Sequence, residues 1–130
     1  MKIDRKKNLL VLESFSTLKK SLNFEGSVAL GIGCRVAEIN AREVVTGKGC
    51  IIGKITCDRI FLGAFSTFNS IEANEVTILN HCKGDRVFAR EVRIGSMCEI
   101  CEINAGLLEM KGASKLNKIT ANKIRCMDFI

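Results

Sequence analysis

The chain repeats itself every 16 residues, and that period constrains its fold more than any other feature. Ile39, Ile55, Ile71, Val87, Ile103 and Ile119 fall in one column of the repeat. Two residues on stand Ala41, Cys57, Ala73, Ala89, Ala105 and Ala121, and three further on Val44, Ile60, Val76, Val92, Leu108 and Ile124. Thr46, Leu62, Ile78, Ile94, Met110 and Cys126 follow. A small column (Cys34, Cys50, Ser66, Cys82, Cys98, Ser114) and a mostly bulky one (Val36, Ile52, Phe68, Gly84, Ile100, Leu116) complete the unit without insertion or deletion.

The steps between these positions, counted from Ile39, are 2, 3, 2, 4, 2 and 3. A step of two is β alternation, with both residues on the inner face. Steps of three and four are corners where the alternation resets. Each coil therefore has three short faces, and the predicted fold is an all-β, single-domain parallel β-helix of six to seven coils. A pair of packed helices does not fit in 16 residues, and the Gly, Asn and β-branched content disfavours helix. The chain has no Pro, which suits a continuous hydrogen-bonded ladder. Aromatics are 5% of the chain, so its core rests on aliphatic and small residues.

Corners need tolerant residues. The corner after the second face contains Gly47 and Gly49, Gly63, Asn80 and His81, Gly95 and Gly112; that after the third carries Gly53, Asn69, Asp85, Cys101 and Asn117. Both are expected to use left-handed backbone. The β-helix domain is expected over 22–130, with Val28 and Leu30 in a degenerate first coil. Residues 1–21 fall outside the register and read as a basic tail or cap.

The matching units are INAREVVTGKGCIIGK, ITCDRIFLGAFSTFNS, IEANEVTILNHCKGDR and VFAREVRIGSMCEICE. Their pattern of an aliphatic residue, a small residue two on, an aliphatic three further on, then Gly resembles the bactofilins, bacterial polymer-forming cytoskeletal proteins. The resemblance covers about residues 22–130. The chain departs from it at Leu79 and Lys111, where Gly is lost, in its richness in Cys, and in its very short tails. The resemblance implies a right-handed helix that polymerises end to end without nucleotide. It also implies attachment to membrane or partners through the tails, and organisation of cell-envelope or cytoskeletal factors.

A solenoid has two ends, each an exposed core beside an unpaired strand edge, to be capped or joined. Ile124, Met127, Phe129 and Ile130 are the candidate apolar end for subunit stacking; the competing reading is that Phe129 folds back as an intrachain cap. At the other end, Lys2, Arg5, Lys6, Lys7, Lys19 and Lys20 against Asp4 and Glu13 leave residues 1–22 with a surplus of four positive charges, while the other residues carry a surplus of two. A nearly neutral body argues against nucleic acid as partner. Lys6 and Lys7 beside Leu9, Leu10, Val11 and Leu12 form a segment that either meets an anionic membrane surface or covers the first coil; its shortness favours the cap.

Enzyme chemistry finds little support. Cys98 and Cys101 form a C-x-x-C without a second pair, and His81, the only His, lies at another corner. The cysteine column reads as small buried residues. Left-handed hexapeptide acyltransferases close coils of 18 from a six-residue period, and 16 is not a multiple of six. No catalytic residue, cofactor or metal is therefore expected. Outward Val45, Phe61, Phe65 and Phe88 are candidates for lateral contact. With no secretory signal and no membrane span, a cytoplasmic location is expected, with membrane association through the N-terminal segment as the alternative to a cap. The function expected is a self-assembling scaffold forming a homo-polymer; the alternative is a non-polymerising solenoid module for a cell-division or cell-envelope partner.

Overall fold

A computed structural model describes residues 1–126 of the chain. Its strands are β1 (Lys2–Asp4), β2 (Leu9–Leu12), β3 (Thr17–Asn23), β4 (Ser27–Leu30), β5 (Arg35–Asn40), β6 (Glu43–Thr46), β7 (Ile51–Thr56), β8 (Arg59–Leu62), β9 (Thr67–Glu72), β10 (Glu75–Ile78), β11 (Lys83–Ile94), β12 (Glu99–Met110) and β13 (Lys115–Cys126). No helix occurs among the described residues. Except for the antiparallel β1–β2 pair, each strand pairs in parallel with a strand one coil away, giving a β-solenoid of about seven turns.

From Ser27 onward the pairing keeps the 16-residue register of the sequence. Val28 meets Val44, Ile55 meets Ile71, and Ile103 meets Ile119. The repeat's aliphatic columns are the core: Ile39, Ile55, Ile71, Val87 and Ile103 are wholly buried. In-register pairing stacks each side chain on its own kind, so size changes must be matched within a column. Gly84 stands in the bulky column for this reason. The Phe68 ring from the preceding coil fills the space that a Gly84 side chain would take.

The three inward pairs per coil are present, but the strands do not break at every corner. β7 runs through the corner at Gly53, joining the face of Ile52 to that of Ile55. β11, β12 and β13 run through two corners each, as strands of 12 residues. The expectation of left-handed backbone at Gly53, Asn69, Asp85, Cys101 and Asn117 is corrected: none of them has a positive φ. The ladder instead skips one residue there, pairing Ile52 with Phe68 and Lys54 with Ser70. A bend of one unpaired residue needs no left-handed conformation.

Apart from Asn8 in the turn before β2, left-handed backbone among the described residues falls at the other expected corner, at the residue just before the small column. There stand Phe15, Gly33, Gly49, Phe65, His81 and Met97, all with φ between 60° and 72°. Close approach calls for Gly63 at the same corner, where a side chain would strike the Gly47 backbone; one on Gly47 would sit tightly, 3.0 Å from the Gly31 backbone.

The sheet also crosses the boundary expected between residues 21 and 22. β2 and β3 form a first coil whose spacing to the next is 18 at Leu10 and Val28, and 17 at Leu22 and Ile39. The change occurs at Lys19–Lys20, where β3 bulges between Leu18 and Ser21. An extra residue bends a strand without dismantling the ladder. This coil lies outside the 16-residue period yet inside the fold.

Candidate interaction surfaces at the ends and corners of the rod

The two ends are built differently. At the N-terminal end, Leu10 and Leu12 point inward and are 3% and 4% exposed. β1 lies antiparallel on the outer edge of β2, pairing Lys2 with Val11 and Asp4 with Leu9. Its turn is tied by the Lys6 and Lys7 amides, which donate to Asp4 Oδ1 at 3.0 and 3.3 Å. Of the proposed membrane or cap segment, Leu10 and Leu12 are thus in the core, Leu9 and Val11 are half-buried, and Lys6 and Lys7 are exposed. β1 thereby covers the outer edge of β2. Lys19 and Lys20 are exposed at the bulge in β3, on another face of the first coil.

Among the described residues, the core is uncovered at the C-terminal end. Ile119 and Ile124 are 38% and 51% exposed, whereas Ile103 and Leu108 in the same columns one coil earlier are 0%. The outer edge of β13 has no partner strand among the described residues. Of the candidate stacking residues, Ile124 lies in β13, and Met127, Phe129 and Ile130 lie outside the described residues.

The cysteines divide by direction. Cys34, Cys50, Cys82 and Cys98 are buried in the small column. Their thiols donate to carbonyls at the corner of the preceding coil: Cys34 to Glu13 at 3.2 Å, Cys50 to Gly31 at 3.1 Å, Cys82 to Gly63 at 3.2 Å and Cys98 to Leu79 at 3.1 Å. Ser114 repeats the bond to Gly95 at 3.3 Å. The column thus supplies a weak donor to corner carbonyls that the strand ladder leaves free. Cys98 and Cys101, despite their C-x-x-C spacing, are buried and exposed respectively, so they do not converge on one point. Burial pushes the Cys57 thiol up to about 12. Hydrogen bonding with Cys98, and then burial, raises Cys82.

The outward apolar residues do not form one patch. Val45 and Phe61 are register neighbours on one face, Phe88 lies on another, and Phe65 stands on the left-handed corner. At that corner Phe65 stacks on His81, with centroids 4.8 Å apart and ring planes 1° from parallel. Sequence reasoning found His81 at a corner but missed the stack, because ring direction depends on a backbone conformation that bulky residues seldom adopt. The available signal was position: both rings immediately precede a small inward residue.

Other outward charges pair from coil to coil. Arg59 meets Glu75 at 2.9 Å, and Glu109 lies 3.4 Å from both Arg93 and Arg125. No described helix is long and apolar enough to cross a membrane. Compared with protein-family models, curated proteins and solved structures, the chain matches none.

Proposed function

We propose that the chain is a bactofilin-like structural scaffold that self-assembles end to end, without nucleotide, through its C-terminal coil. The observation that carries this reading is the exposure of Ile119 and Ile124 beside the edge of a 12-residue strand that has no partner among the described residues. Such an edge is a template for another strand, and a stacked subunit would bury the open core as each coil buries the one before it. The columns already show that identical or similar side chains stack well at this spacing.

The covered N-terminal end supports a second reading, in which two copies join at their C-terminal ends and growth stops. β1 blocks one strand edge there, and the positive surplus of residues 1–22 disfavours meeting a second copy of the same end. The experiment is sedimentation over a concentration series with negative-stain microscopy, on the wild type and on Ile124→Glu. Filaments in the wild type and small species in the variant support the scaffold. A defined dimer that the variant converts to monomer supports the module. Unchanged assembly in the variant removes the C-terminal end from both.

A further inference from the structure

The left-handed corner column carries rings at Phe15, Phe65 and His81, with an open rung between the first and the second. Phe65 and His81 show how the occupied rungs are arranged: flat, parallel and one coil apart, at 4.8 Å. The rung at Gly33 is also filled, because the Phe15 ring leans over it and lies 2.8 Å from where a side chain would begin. At Gly49 the same construction finds nothing within 4 Å. Phe65 stacks on His81 of the following coil, and Gly49 is its column neighbour in the preceding coil.

The gap has defined dimensions. The Phe15 ring over Gly33 and the Phe65 ring are two coils apart, roughly 9–10 Å. A planar ring inserted midway would lie about 4.8 Å from each, inside the range at which aromatic pairs attract. The free charges nearby are cationic: residues 31–35, 47–51 and 63–67 include Arg35 and Lys48 and no acid, and Glu13 beside the Phe15 wall is paired with the N-terminal amine at 2.7 Å. Ile32 and Ile51 flank the gap and are nearly half exposed. The ladder is also held at a conformational cost, since Phe15 and Phe65 are bulky residues in left-handed backbone with largely exposed side chains. Burial does not explain that placement.

We propose that the Gly49 rung is a docking slot for an aromatic side chain of a partner polypeptide, carried next to acidic residues. The slot is one ring thick and open outward, so a free ring would be held by its two faces alone. A ring tethered to a chain gains the Ile32 and Ile51 surfaces and the attraction of Lys48 and Arg35. This site is separate from the C-terminal end, and Ile124→Glu is expected to leave it intact.

The chain contains no Trp or Tyr, so the fluorescence of a tryptophan probe is read without background. The probe is an acetylated Asp-Glu-Trp-Glu-Asp peptide, titrated with the full chain. A saturable change in emission is expected. Gly49→Phe fills the rung with a residue that the column already accepts at 15 and 65, and it should weaken binding at least about tenfold; Phe65→Leu removes one wall and should weaken it severalfold. Lys48→Glu should weaken the acidic peptide and spare a version with Lys in place of Asp and Glu. No saturable response in the wild type, or equal affinity in Gly49→Phe and Phe65→Leu, overturns the proposal. If these variants instead dissociate the protein's own oligomers, the occupant is a second copy and the proposal also fails.

Discussion

The first and last coils present the same kind of inward residues to opposite fates. Leu10 and Leu12 in the first are buried as deeply as the mid-rod core, while Ile119 and Ile124 in the last stand open. Composition does not separate them; what lies next to them does. The first coil carries β1 on one edge and a lysine-bearing bulge on the other, two devices that blunt a sheet edge. The last coil ends its described residues on a long, regular, unbulged strand. A solenoid's inward pattern thus reports which residues belong to the core, and its irregularities report which end is finished.

The largest test of this contrast is a matched pair of truncations. Leu12→Ala should cost about 2–5 kcal/mol, as for a buried leucine whose site cannot collapse, whereas Ile124→Ala should cost less than about 1 kcal/mol in the isolated chain. Urea denaturation of both variants measures the difference. Equal costs would mean that the C-terminal coil is covered as well as the N-terminal one. A smaller effect is expected on deleting residues 1–5, which removes β1 and bares the β2 edge. Association should then acquire a second interface, seen as species in sedimentation larger than those of the full chain.

How far the sequence reached depends on where the period holds. The columns from Val28 to Cys126 were legible because in-register stacking forces each inward residue to match its neighbours above and below. The first coil was not, since the bulge at Lys19–Lys20 and a spacing of 18 break the period while leaving the pairing intact. Corner chemistry misled at Gly53, where a bend in extended chain uses residues that also suit left-handed turns. It missed Phe15, Phe65 and Met97 for the opposite reason: these bulky residues take up that conformation despite its cost. The ring ladder follows from backbone geometry, which no column of residue types displays.

The smallest expected effect concerns the thiols along the rod. Cys101 and Cys126 are exposed and should react with a thiol reagent at pH 8; the five buried cysteines should react only after unfolding. Because Cys57 is raised to about 12, its neutral form is favoured in the folded state. Its contribution to stability is full below the ordinary thiol range and is lost as pH rises from about 9 toward 12. Cys57→Ala restores the residue found in the rest of its column and should leave neutral-pH stability nearly unchanged. Denaturation midpoints at pH 7 and pH 10.5 should therefore differ less in the variant than in the wild type; an equal difference would place the alkaline sensitivity elsewhere.

The exact 16-residue register between Ser27 and Cys126 has a consequence for how such a molecule changes size. Duplicating any 16 consecutive residues within that span returns every side chain to its own column and every backbone donor to an equivalent acceptor. The rod then lengthens by one step of about 4.8 Å with both termini unaltered. Length in this architecture is counted in whole units, as on a ruler, and is adjustable without redesign of either end.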